Sequence, residues 1–123
     1  MPYRKYHNRK ITFEGRTFDS RKEYERYLIL RAWERDGSIS DLECQKKFIL
    51  IPAQRAPDTV DSKGKRVQGK ILERECAYYA DFVYFDKRRN QFVVEDAKGV
   101  RTEVFKIKKK LMLFRHGIRI KEV

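Results

Sequence analysis

A few side chains in this sequence have the types and spacing to cut a phosphodiester. Asp81 interrupts an apolar run, Tyr79-Ala80-Asp81-Phe82-Val83-Tyr84-Phe85. A carboxylate in a core strand is costly unless something compensates it. A second run follows, Val93-Val94-Glu95-Asp96-Ala97-Lys98-Gly99. In a strand, Asp96 and Lys98 lie two apart and share a face, while Glu95 points the other way. A bulge would shift the register and put Glu95 in the place of Asp96. Two carboxylates and a lysine at the ends of adjacent strands make a site for a hard cation. Mg²⁺ prefers oxygen ligands and keeps several waters. It polarises a phosphodiester and lowers the pKa of an attacking water. A nearby ammonium orients that water or stabilises charge in the transition state.

The elements that must position these groups are legible in outline. Lys10–Phe13 and Arg16–Phe18 flank Glu14-Gly15, a hairpin turn. Ser20 with Glu23 three residues later is a capping box opening a helix. Tyr24, Tyr27, Leu28 and Ala32 continue at helical spacing, with Leu30 and Trp33 widening the stripe, and Asp36-Gly37 stops it. Ile39–Leu42 and Cys44–Ile51 read as extended. Residues 52–69 hold two prolines and two glycines and read as a hairpin extension or a loop. Ile71–Phe85 and Gln91–Ala97 are strands around a turn at Asp86–Asn90. Residues 102–115 form a helix capped by Thr102 and closed by His116-Gly117, with Val104, Ile107, Leu111 and Phe114 as its core stripe. Ile118–Val123 is a last strand. This order predicts an α/β fold with a mixed sheet packed on helices.

Asp81, then Asp96-Ala97-Lys98, resembles the catalytic motif of the PD-(D/E)xK nuclease superfamily, with Ala80 where a proline often stands. Glu23 fits the carboxylate that this superfamily often draws from its first helix, although the capping box alone also accounts for it. The wider layout adds Gln45 on the next strand, and looks most like phage-type Holliday-junction resolvases and the nuclease subunits of some transposons. The chain is also similar to a small phage and prophage family of this superfamily. The likeness covers roughly residues 10–123. It implies a single restriction-endonuclease-like domain, with residues 1–9 as a basic arm. It implies Glu23, Asp81 and Asp96 as ligands of Mg²⁺, which Mn²⁺ can replace, and Glu23, Asp81, Asp96 and Lys98 as the catalytic set. Gln45 is implied to touch the metal water or the scissile phosphate. Lys108, beside the last helix's stripe, is a candidate phosphate contact, or else a lysine that buries its stem and keeps its head in water. The implied activity is Mg²⁺-dependent cleavage of branched DNA, leaving 5′-phosphate and 3′-hydroxyl ends.

The charge balance fits such a substrate. The 123 residues hold 30 Lys and Arg against 18 Asp and Glu, a net +12. That excludes an acidic disordered tail, and 15 Phe and Tyr argue against disorder. A surplus of this size repels itself in a compact chain and is usually met by a polyanion. It is segregated: residues 1–22 carry 7 basic and 2 acidic side chains, 23–85 carry 11 of each, and 86–123 carry 12 and 5. The basic ends supply candidate DNA contacts at Arg4, Lys5, Arg9, Lys10, Arg101, Lys109 and Lys110. No helix-turn-helix or zinc-finger pattern suggests base readout. Two symmetric cuts in a branched junction would call for a C2 homodimer. His7 and His116 are lone and take no assigned role. Cys44 and Cys76 are too few for a zinc site and read as reduced thiols in a cytoplasmic protein, with no membrane partner. The competing reading is a non-catalytic basic nucleic-acid-binding protein, or a nuclease subunit that acts inside a larger recombination or transposition complex.

Overall fold

The structure is a computed structural model that describes residues 10–97 and 101–123. Helix α1 (Arg21–Asp36) begins where Ser20, in an extended conformation, turns its Oγ to accept from the Glu23 N–H at 3.1 Å. It ends at Gly37, whose φ of 85° is left-handed and lets its N–H reach back to the last turn. Helix α2 (Glu103–His116) repeats the device with Thr102 at one end and Gly117 at the other. Both sequence-read caps are therefore in place.

A short hairpin, β1 (Ile11–Phe13) and β2 (Arg16–Phe18), precedes α1. Its turn residues Glu14 and Gly15 both have positive φ, the handedness that matches the twist of paired strands. The main sheet has the order β10-β9-β8-β3. The long strands β3 (Ile39–Ile51) and β8 (Cys76–Asp86) run antiparallel, as do β8 and β9 (Gln91–Asp96). Strand β10 (Lys121–Glu122) returns parallel to β9 after α2. Phe82 and Tyr84 pack with Phe18, Tyr27, Leu30 and Ile39 beneath α1. Their neighbour Val83 joins Val94, Phe105 and Met112 beneath α2. Alternation thus buries both faces, one under each helix. The result is a single-domain α/β fold with a mixed sheet between two helices, compatible with the restriction-endonuclease-like architecture.

Residues 52–75 resolve as an extension of the hairpin between β3 and β8. Strand β4 (Gln54–Arg55) pairs with β7 (Ile71–Glu73), and β5 (Thr59–Val60) pairs with β6 (Arg66–Val67). Gly69 is its tight point: a Cβ there would lie 1.7 Å from the Ala56 carbonyl oxygen.

Two helix stripes differ from expectation. In α1 the buried positions are Glu23, Tyr27 and Leu30, while Leu28 and Ala32 face solvent. In α2 the buried positions are Phe105 and Met112. Val104, Ile107 and Phe114 are 60%, 58% and 88% exposed, and only Leu111 of the expected stripe packs partly against the core. The helix is turned about 100°, one residue's rotation, from the expected face. Two contacts fix that rotation. The Phe105 ring meets Tyr78 at one end, and His116 meets Phe48 and the Ile49 carbonyl oxygen at the other.

This rotation predicts opposite outcomes for two neighbouring residues. Met112→Ala should cost about 2–5 kcal/mol in urea unfolding, the usual range for a core truncation. Phe114→Ala should stay within about 0.5 kcal/mol of wild type. The reverse ranking would restore the sequence-read stripe.

Candidate metal centre

The site begins with a break in the strand alternation. Cys44 packs on the α1 side, yet Phe48 and Leu50 pack on the α2 side. Residues an even number apart on a regular strand share a face. Between them Gln45 has φ 53°, a left-handed backbone that non-glycine residues seldom adopt. Strand β8 changes phase opposite this point, with Ala80 on the α2 side and Phe82 on the α1 side. Cys44 pairs with Phe82 and Lys46 with Ala80, so Gln45 and Asp81 face each other where both strands change face while the register runs on unbroken. The change of face brings both side chains to Glu23 at the start of α1.

There Gln45 Nε2 donates to Glu23 Oε1 at 3.1 Å and to Asp81 Oδ1 at 3.0 Å. Both carboxyls are nearly inaccessible. Burial raises the Glu23 pKa to about 7, and the negative charges of Asp81 and then Asp19 add to the rise. The Glu23 N–H serves the helix cap, while its carboxyl turns inward to Gln45. The other Asp81 oxygen accepts from the Ala97 N–H at 2.8 Å. The β8–β9 ladder ends at Phe82 and Glu95, and Asp81 takes up a backbone donor where the strands part.

Glu95 and Asp96 divide between the two faces. Glu95 is fully buried under α1. Arg26 grips it with two parallel bonds, Nε to Oε1 at 2.8 Å and a terminal nitrogen to Oε2 at 2.7 Å, and the Tyr84 hydroxyl donates to Oε2. That hydrogen bonding raises the Arg26 pKa above its ordinary value. The same guanidinium lies 5.0 Å over the Trp33 ring. Glu95 is therefore held as a structural anion. Asp96, also buried, accepts from the Tyr78 hydroxyl at 2.6 Å. Burial first, and then donation to Asp96, pushes the Tyr78 pKa up. Tyr78 belongs to the cluster under α2. In register, Asp96 stands one residue past the Phe82–Glu95 pair, opposite Asp81.

The structure thus brings Glu23, Gln45 and Asp81 together and sets Asp96 across the strand gap from them. Among the described residues, no three acidic, histidine or cysteine side chains are close enough to share an ion. The donor set still suits a hard cation. Gln45 places one nitrogen, the positive end of an amide dipole, between two buried carboxyls, where a cation would satisfy the same oxygens.

The remaining candidates are dispersed. Lys98, Arg4, Lys5 and Arg9 lie outside the described residues. Lys10 and Lys110 are exposed. Arg101 and Lys109 both pair with Glu122. Lys108 is half-buried on α2, between Phe105 and Met112. Sequence reasoning missed Arg26, Tyr78 and Tyr84, which hold the acids in place. A signal existed for Arg26: it lies one turn after Glu23, on the same helix face.

The raised Glu23 pKa has a measurable consequence. An unfolded glutamate titrates near 4.5, and this one near 7. The folded chain therefore holds the proton more tightly. Its contribution to stability is full below pH 4.5, falls as pH rises toward 7, and is gone above that. Glu23→Gln should remove this fall, so its urea midpoint relative to wild type should rise between pH 5 and pH 8. Parallel curves for the two proteins would show that Glu23 titrates normally.

Comparison with known proteins adds a family. A family model described as "Protein of unknown function (DUF1064)" matches residues 3–121. No curated protein and no solved structure matches the chain. With nearly the whole length matched, the chain belongs to the DUF1064 family.

Proposed function

We propose that this chain is a metal-dependent endodeoxyribonuclease of the PD-(D/E)xK type that acts on branched DNA. The observation that carries the reading is the meeting of Glu23, Gln45 and Asp81 where β3 and β8 change face together, at a left-handed Gln45. Left-handed backbone at a non-glycine residue is a local cost that folds retain mainly at working sites. Two buried carboxyls left so close need a proton or a cation between them.

In this reading Glu23, Asp81 and Asp96 hold Mg²⁺, or Mn²⁺ in its place. When bound, the ion supplies charge neutralisation at the scissile phosphate and an acidified water. The chain does the positioning. Arg26 and Tyr84 lock Glu95, which fixes the strand that carries Asp96. The Ala97 N–H orients Asp81. Gln45 holds the two carboxyls together at oxygens that a bound ion would also use. Lys98 orients the hydrolytic water and stabilises charge on the phosphate. Two copies related by a two-fold axis would cut a junction symmetrically.

The test is a labelled four-way junction incubated with Mg²⁺ and wild type, Asp81→Asn or Lys98→Ala, beside a matched linear duplex. Wild type should cut the junction, and each variant should be slower by about 100-fold or more. Equal cutting by all three would take the chemistry away from Asp81 and Lys98, and binding without cutting by all would leave a basic nucleic-acid-binding protein instead. Equal cutting of duplex and junction would remove the branched-DNA specificity alone.

A further inference from the structure

The extension at residues 52–75 needs a different explanation from the rest of the fold. Every residue in it is exposed except Gly69 and the half-buried Ala56. It has no apolar core. Its order comes from polar ties. Asp58 accepts from the Gly69 N–H at 2.8 Å and pairs with Arg66, and Arg55 donates to the Gly69 carbonyl oxygen. At the tip, Asp61 Oδ1 accepts from the N–H groups of Lys63 and Lys65, and Gly64 takes the left-handed turn position.

These ties also decide the charge that the ribbon shows. It contains six basic residues (Arg55, Lys63, Lys65, Arg66, Lys70, Arg74) and four acids (Asp58, Asp61, Glu73, Glu75). Three of the acids are already engaged: Asp58 by Arg66, Asp61 by the tip N–H groups, and Glu75 by Lys47. The side chains of Lys63, Lys65, Lys70 and Arg74 make no ion pair among the described residues. With Asp58 cancelled by Arg66 and Glu75 by Lys47, five cations face the charges of Asp61 and Glu73, so the ribbon is cationic, with two ammonium groups at a pre-shaped tip. Two paired strands are about 5 Å apart, roughly 10 Å wide with side chains. The major groove of B-form DNA is about 12 Å wide and admits a two-stranded ribbon.

We propose that the 52–75 ribbon is a duplex-DNA contact arm, seated along the major groove, with Lys63 and Lys65 at its tip on the phosphates. The arm rests on the nucleic-acid reading above and adds to it a place and a partner form. A rigid tip reduces the ordering cost of binding. A groove-seated arm also gives the protein a preference for double-stranded over single-stranded DNA. It holds the duplex stem of a branched substrate while the carboxylate site lies midway along the same two long strands.

The test is binding, not cutting. Fluorescence anisotropy would be read without divalent ions, using a 20-base-pair duplex, the four-way junction and a 20-nucleotide single strand. Wild type would be compared with K63E/K65E and with K63Q/K65Q. Thermal unfolding would check that each variant is folded. Duplex and junction affinity should fall about tenfold or more for K63E/K65E and less for K63Q/K65Q. The slope of log K against log salt should drop by about 2, one phosphate contact for each lysine. Single-strand affinity should change less. Unchanged duplex affinity and salt slope in folded variants would overturn the arm. So would an equal loss on single-stranded DNA, or a change confined to self-association in sedimentation. A protein that never cuts but shows the expected losses would keep the arm and remove only the nuclease reading.

Discussion

Four carboxyl groups, those of Glu23, Asp81, Glu95 and Asp96, are buried at the middle of a 123-residue fold. Charge out of water is costly unless it is paired, hydrogen-bonded or neutralised, and the structure is arranged around meeting that demand. Glu95 is paired outright, by a forked guanidinium and a phenol. Asp81 takes one backbone and one amide donor. Asp96 receives the Tyr78 hydroxyl. Glu23 has only the shared amide of Gln45 and the backbone at Asp19 to offset burial, and it holds its proton to about pH 7. The compensation is graded, and the least compensated group lies beside Asp81, where a cation would do the most.

The same demand orders the elements. Arg26 and Glu95 are 69 positions apart in sequence. Their paired hydrogen bonds pin α1 to β9 and so set the distance from Glu23 to the strand gap. Arg26 reaches over Trp33 to do so, which couples the ion pair to the apolar packing under α1. On the opposite face Tyr78 links Asp96 to the α2 cluster through Phe105. Each face of the sheet thus contributes one phenol and one acid, and the change of face at Gln45 and Asp81 lies between them.

Local signals in the sequence were a good guide to local structure. Ser20, Gly37, Thr102 and Gly117 marked helix ends because caps are short-range hydrogen bonds. The sequence also placed Asp81 and Asp96 on neighbouring strands, and Glu95 opposite in face to Asp96. It did not show the stripe on α2. Val104, Ile107, Leu111 and Phe114 repeat at helical spacing, but periodicity identifies a face without saying what covers it. The contacts that turn α2, Tyr78 to Phe105 and His116 to Ile49, join residues 27 and 67 positions apart. Nor could propensity locate the change of face at Gln45. A glutamine at φ 53° has no turn signature, and it lies inside an unbroken β3–β8 register.

Charge is the feature that structure changes most. Counted by segment, the middle of the chain is neutral and the two ends are basic. Paired in space, the pattern shifts. Arg101 and Lys109 of the basic C-terminal segment are both engaged by Glu122. Among the middle acids, Asp58 and Asp61 serve as turn and ladder acceptors, and Glu75 is paired to Lys47. A side chain bound to the protein's own backbone or cations presents less field to a partner, while an unpaired lysine presents nearly all of its own. Glu122 thus offsets one charge of the C-terminal surplus, while Lys63 and Lys65 at the tip of the 52–75 ribbon make no ion pair among the described residues. What a polyanion meets is decided by which acids the fold has already occupied, and a neutral stretch of sequence can become one of the more basic surfaces of the molecule.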